Sequence, residues 1–282
     1  MGAPKLIDME TLYGNLILEP LRGSVNWQRI CVVESEIPSE VFRLALNYDS
    51  AHVVQTKNPY FANDLNTAAL FAKDKDAFSR APLSAILAPD RCDEKSETEL
   101  KIFEQTFTSS IEKPQILINA ESALNGLSIA GSLIADIIVI VDEMITNAVY
   151  NAPFVDLQNT NSGPRHRQNE VHMPSGKSAR IFIGADKDRI AIGCKDLYGT
   201  LNVNKLFARI KNCYDTSVGD NINFSGAGGA GIGSYMIFNS SASYFAEVKI
   251  ETHTIVCCTV PIRMSSRGRQ KIVKNLHFST YK

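Results

Sequence analysis

The chain is poor in the residues that would declare a metal or disulfide scaffold. Its six cysteines, Cys31, Cys92, Cys194, Cys213, Cys257 and Cys258, are scattered through 282 residues. They form no CxxC pair and have no histidine at zinc-ligand spacing, which argues against a zinc finger or a thioredoxin-like centre. Adjacent Cys257 and Cys258 on a strand would point to opposite faces, so they are not expected to bond to each other. Reduced thiols and a cytoplasmic location are the expectation. Strong charge is also missing: the formal net charge is −1, which gives no bulk attraction to nucleic acid or to an anionic membrane. The longest apolar stretch, 127–141, is interrupted by Asp136 and closed by Asp142-Glu143. It falls short of the ~20 residues that a span requires. The first ten residues carry early acids and no apolar core, so a signal peptide is not expected. No internal repeat or low-complexity tract is present. What remains is ordinary globular composition, 44% hydrophobic and 21% charged, long enough for one large domain or two ordinary ones.

Taken in order, 29–33 reads as a buried strand ending in Glu34-Ser35-Glu36. A helical pattern follows over 41–46, with Pro38 near the first turn. Residues 51–54 read as a second strand, 63–78 as a helix, 83–87 as a third strand, 95–107 as a third helix and 114–119 as a fourth strand. Strands alternating with helices predict an α/β module with a parallel sheet. From Ile134 the period becomes that of one long helix, with Ile137, Ile140, Val141, Met144, Ile145, Ala148 and Val149 as its buried stripe and Pro153 marking its end. Residues 154–177 read as an exposed loop. Two hairpins are expected, 179–184 with 189–194 and 243–250 with 255–262, together with helices over 203–214 and 231–240. The tail 263–282 carries six Lys/Arg and no acid and reads as a solvated basic end.

Three segments carry chemistry. Glu143 and Asn147 are four apart, so a helix puts them on one face, a turn apart. Moving a γ-phosphoryl group needs a base near the nucleophile and a hard oxygen ligand for Mg²⁺. Glu143 suits the first role and the Asn147 amide oxygen the second. The bland alternative is a solvated Glu and a helix-interior Asn, although Asn is a poor interior residue. Asp196 closes an apolar strand and precedes Tyr198-Gly199; there a carboxylate can accept from the exocyclic amine of adenine, or be a plain turn aspartate. The run 226–233 offers bare N–H groups at a helix start, an anion site. It lacks the Lys-Ser/Thr of a P-loop. Residues 226–231 match GxGxxG, but no strong strand precedes them and too little chain follows for a dinucleotide fold.

Glu143-x-x-x-Asn147, Asp196-x-x-Gly199 and Gly229-x-Gly231-x-Gly233 resemble, in order and spacing, the N, G1 and G2 boxes of the GHKL (Bergerat-fold) ATPases, which include histidine kinases, anti-sigma serine kinases and gyrase. The resemblance covers about residues 115–262. It implies Glu143 as general base, Asn147 as Mg²⁺ ligand, Asp196 reading adenine and Gly199 letting the base approach. It further implies that Gly229, Gly231 and Gly233 wrap the phosphates, that 213–228 forms a mobile lid and that Thr254 is the later threonine of the histidine-kinase pattern. Asn151 stands where many members place a basic residue near the phosphates, and His253 where they place Gly before that threonine. In 30–38 the chain also resembles the acidic first strand of response-regulator receivers. Ala88 then stands where the phospho-acceptor would be, with Asp90 two residues late, and Asn119 at the switch position. Proteins pairing such a region with a GHKL domain resemble this chain in Asp142-Glu143 through Ala152-Pro153 and in 228–233.

The expectation is therefore a two-domain α/β protein of bacterial signalling type. A receiver-like α/β module (1–113) precedes a two-layer α/β sandwich of the Bergerat type (114–265) and a basic tail (266–282). It would bind ATP and Mg²⁺ and act on a protein partner as a kinase or ATPase, with a homodimer admitted. The alternative is a catalytically silent, ATP-gated scaffold. None of His52, His166, His172, His253 and His277 has a phospho-acceptor context, which disfavours self-phosphorylation.

Overall fold

A computed structural model describes residues 5–6, 30–34, 40–48, 51–153, 170–215 and 232–282. Among these residues nine strands form one sheet in the order β1-β2-β3-β9-β7-β8-β6-β5-β4. In chain order these are β1 (Lys5–Leu6), β2 (Ile30–Glu34), β3 (His52–Gln55), β4 (Lys101–Phe107), β5 (Ala179–Ala185), β6 (Arg189–Asp196), β7 (Ser243–Lys249), β8 (His253–Pro261) and β9 (Asn275–Tyr281). From β4 to β7 every neighbouring pair is antiparallel; β7 with β9 and β2 with β3 are parallel. The class is mixed α/β.

Both faces of the sheet are covered. Ile181, Ile183, Ile190, Ile192, Tyr244, Ala246 and Cys258 face a core shared with helices α1 (Glu40–Tyr48), α6 (Lys113–Asn125), α7 (Gly131–Thr146), α8 (Val203–Asp215) and α9 (Ile232–Ser240). The alternate residues Phe182, Ala191, Phe245, Ile255 and Cys257 face a second core containing Phe78, Leu83, Ile86 and Leu87. Those four lie on α3 (Ala77–Arg80) and α4 (Pro82–Leu87), which stand between α2 (Phe61–Lys73) and α5 (Glu94–Leu100). The period-2 alternation of strands thus feeds two helical layers. Packing on the second face is tight at Gly193, where a Cβ would fall 2.0 Å from the Cys257 Sγ. Cys257 and Cys258 do point to opposite faces, and all six cysteines are free.

Several expected elements change type. The third and fourth strands are helices: 83–87 lies in α4 and 114–119 in α6, each with proline in its first turn, where the missing N–H costs nothing. A short apolar run does not distinguish a buried strand from a buried helix, and 83–87 is buried throughout. Residues 95–107 divide at Leu100: Asp93 caps α5 by accepting from the Ser96 N–H at 2.7 Å, and 101–107 pairs with β5 as the edge strand. Ala88 consequently ends a helix, Asp90 sits in a 3₁₀ turn and Asn119 within α6, so the expected phospho-acceptor and switch positions are not at strand ends. The sheet also crosses the expected boundary at 113, since β4 pairs with β5 and β3 with β9.

The largest correction is the C-terminal segment, which is not a solvated end. It forms α10 (Ser266–Lys271) and then β9, inserted between β3 and β7 with Asn275, Leu276 and His277 buried. Lys274 is buried and donates to the carbonyls of Asn239 (3.0 Å) and Ser241 (2.6 Å). Arg269 pairs with Asp136 of α7. Asn275 donates to buried Asp64 at 2.6 Å, and Arg189 meets the same carboxylate at 3.3 Å. A basic residue reads as solvated only until its carbonyl and carboxylate partners are known.

Candidate functional site

Helix α7 forms as its stripe predicts and passes at its C-terminal end into a wider, π-helical turn, Asn147–Asn151. Such turns recur at functional sites because they shift side chains off the regular helical face. The two acids beside this turn diverge. Asp142 pairs with Lys113 of α6 at 2.8 Å, and the same ammonium donates to the Thr146 hydroxyl at 2.9 Å. Glu143 turns instead toward the start of α9. A Cβ built on Gly233 would lie 1.9 Å from the Glu143 Cδ, so the glycine backbone rests directly on that carboxyl group. A side chain at 233 would displace the flexible end of Glu143 from this position.

Asp196 ends β6 opposite Thr254 of β8. Its carboxylate is 8% exposed and accepts from the Tyr198 N–H at 2.9 Å. Burial raises its pKa to about 6, opposed by backbone hydrogen bonds from Tyr198, Gly199 and Thr254. The Thr254 hydroxyl is near enough to lower that value, yet it meets hydrogen-bonding geometry with no partner among the described residues. Gly199 adopts φ +66°, and a Cβ there would fall 2.2 Å from the Lys249 carbonyl oxygen. The Asp196 turn is tied to the end of the Asn147 turn by Thr200, whose hydroxyl donates to the Ala152 carbonyl at 2.7 Å.

The structure therefore brings Glu143 against Gly233, joins the segments of Asn147 and Gly199 through Ala152 and Thr200, and pairs Asp196 with Thr254. Gly229, Gly231 and the lid beyond residue 215 lie outside the described residues; 213–215 ends α8. Asn151 is exposed and donates from Nδ2 to the Asn147 Oδ1 at 2.6 Å, so the expected metal-ligand oxygen already has a partner. Among the described residues no three His, Cys, Asp or Glu side chains cluster as a metal site. A cavity of about 280 Å³ bordered by Thr106, Ser178, Arg180 and Lys195 is lined by none of the site residues. Sequence reasoning missed Lys113 and Thr200. Lys113 was hidden by the mistaken strand over 114–119; Thr200 was legible only as a neighbour of Gly199.

No helix among the described residues is long and apolar enough to cross a membrane. No family model and no curated protein matches the chain. Among solved structures it is similar to a chain of the crystal structure of the SiaB-SiaC complex from Pseudomonas aeruginosa, at 15% identity and a TM-score of 0.40, over 59% of this chain and 94% of that one.

Proposed function

We propose that the chain binds ATP with Mg²⁺ where α7, the Asp196 turn and the start of α9 meet, and that it acts on a protein partner as a signalling kinase or ATPase of the GHKL type. The observation that carries this reading is the seating of the Gly233 backbone on the Glu143 carboxyl group, which joins two of the three sequence boxes. The buried Asp196 carboxylate, with the Thr254 hydroxyl beside it, supports an adenine site, since the base offers an amine to the first and ring nitrogens to the second. The layer of α6–α9 on the β4–β8 sheet supports a Bergerat-type sandwich for 114–265, with β4 lent by the preceding residues and a further layer added by α2–α5.

On this reading Asp196 accepts from the exocyclic amine and Gly199 lets the base lie close. Binding the phosphates is the role given to Gly229, Gly231 and Gly233, with Asn151 as a further phosphate-side residue. Glu143 takes the proton from a serine hydroxyl, a histidine or a water. Mg²⁺ needs only one or two protein oxygens beside phosphate and water, which the Asn147 amide oxygen fits. When bound, the ion neutralises charge on the transferring phosphoryl group. The silent-scaffold reading is favoured by one observation, the Asn151 amide already engaging the Asn147 oxygen.

Labelled ATP with and without Mg²⁺ tests the proposal on wild type, Asp196→Asn and Glu143→Ala. Binding that weakens in Asp196→Asn, with turnover or label transfer lost in Glu143→Ala, is expected. Binding without turnover in either protein selects the scaffold, and equal ATP affinity in wild type and Asp196→Asn ends the adenine assignment.

A further inference from the structure

Behind the candidate site lies a buried pair that the nucleotide reading does not use. Asp196 and Thr254 face the layer of α6–α9, so their neighbours Lys195 and His253 face the opposite layer. There His253 Nε2 lies 3.1 Å from Glu247 Oε1, both side chains being buried. Glu247 is on β7 and His253 begins β8, so the bond spans the base of the turn 250–252. That turn is what the Gly199 loop rests on. The Glu251 N–H donates to the Gly199 carbonyl at 3.3 Å, and the Lys249 carbonyl occupies the space of a Gly199 side chain. Glu251 itself holds φ 60°, a left-handed conformation that a non-glycine residue keeps only where its surroundings impose it.

We propose that Glu247 and His253 are positioning residues: their mutual hydrogen bond fixes the β7–β8 turn and, through it, the Gly199 loop in the geometry that receives the nucleotide base. The function of the loop rests on the adenine reading; its mechanical coupling to the pair does not. The groups facing the pair are Lys195 from β6, Lys249 from β7, Asp76 ahead of α3 and Tyr281 from β9. Burial lifts Glu247 to about 7 and lowers His253 to about 4, with Lys195 and Lys249 adding to the second shift. The two effects have opposite sign. Glu247 contributes stability that is full below its ordinary 4.5 and is lost as pH rises toward 7. His253 contributes stability that is full above its ordinary 6.5 and is lost as pH falls toward 4. Between pH 4.5 and 6.5 they offset one another, so the paired turn is held evenly across the range in which either group alone would titrate.

Amide hydrogen exchange on the full chain without nucleotide, corrected for intrinsic rates, tests this in wild type, Glu247→Gln and His253→Gln from pH 4.5 to 6.5. Protection over 197–200 and 249–254 should be nearly flat with pH in wild type. It should rise with pH in Glu247→Gln and fall with pH in His253→Gln, by up to about tenfold per pH unit. A bond that is structural only within its own turn would move 249–254 and leave 197–200 unmoved, so 197–200 is the deciding readout. Unchanged protection over 197–200 in both variants, with 249–254 exchanging faster, overturns the coupling. Fluorescent ATP binding at pH 6 separates the two readings. Opposite slopes over 197–200 without any nucleotide binding uphold the mechanical coupling and end the adenine reading. Nucleotide binding of equal strength in all three proteins overturns the positioning role. Either variant alone yields a slope, so failure of one to fold leaves the other to decide.

Discussion

The pH response of Asp196 ties the stability of the fold to the chemistry of the site. The carboxyl group is 8% exposed, and burial holds its pKa near 6 against an ordinary 3.8. Because the folded value is the higher one, its contribution to stability is full below about pH 3.8 and is lost as pH rises through 6. The difference between about 6 and 3.8 corresponds to ~3 kcal/mol. The folded protein therefore carries an ionised, desolvated carboxylate at pH 7, a cost that makes sense at a place awaiting a donor. Asp196→Asn keeps an acceptor for the Tyr198 N–H and removes the titration. Urea unfolding at pH 4.5, 5.5 and 7 should show wild type losing ~2–3 kcal/mol relative to Asp196→Asn across that range. Other titrating groups are common to both proteins and cancel. ATP affinity should move the opposite way, weakening in wild type by up to about tenfold per pH unit below 6, as the carboxylate is lost. Parallel stability curves for the two proteins would refute the buried, raised carboxyl; a pH-independent affinity would refute its role in reading the base.

Three further outcomes are expected. Gly233→Ala puts a methyl where the Glu143 carboxyl group lies and displaces that flexible side chain, so nucleotide affinity should fall while stability in urea unfolding changes little. Unaltered affinity would separate Gly233 from the site. Arg189→Met leaves Asp64, fully buried, without its cation, and should cost about 3–5 kcal/mol. Adding Asp64→Asn should recover part of that loss, and strict additivity of the two changes would show that the ion pair is not the cause. Asn151→Ala frees the Asn147 oxygen, so Mg²⁺ should strengthen ATP binding several-fold more in the variant than in wild type. Isothermal titration at varied Mg²⁺ reads this, and an identical metal response in both proteins would argue against Asn147 as a ligand.

Elements with a strong local signature were legible in the sequence. The stripe Ile137, Ile140, Val141, Met144 and Ile145 could only be one helix face, and it is. The 179–194 hairpin follows from alternation around the Asp186-Lys187-Asp188 turn, which Asp186 closes by accepting from the N–H groups of Asp188 and Arg189 at 2.8 Å each. Short apolar runs were legible unevenly: 29–33 and 51–54 do form β2 and β3, but 83–87 and 114–119 are helices. Residues 83–87 carry no period because every side chain is buried, and Pro114 fits a strand start as well as a helix start. In the site, Glu143, Asn147, Asp196 and Gly199 fell within compact local patterns. The Asn147–Asn151 bond depends on a π-helical turn that no spacing rule announces.

The C-terminal segment explains why local reading reached the site and missed its support. β9 pairs with β3 and β7, strands on either side of it in space and both distant from it in the chain. The segment's sequence signal was charge, and the two basic residues that are buried, Arg269 and Lys274, each have a long-range task. Arg269 engages Asp136, two turns before Glu143 on the same helix. Lys274 caps the far end of α9, where carbonyls lack intrahelical partners and the helix dipole favours a cation. The helices bearing Glu143 and Gly233 are thus gripped away from the candidate site by one segment. Their contact, the Gly233 backbone against the Glu143 carboxyl group, depends on both helices being held in register. A truncated chain ending at 272 would keep every sequence box intact and lose that register. The boxes specify what could bind; Arg269 and Lys274, buried ahead of β9, hold the helices on which two of those boxes sit.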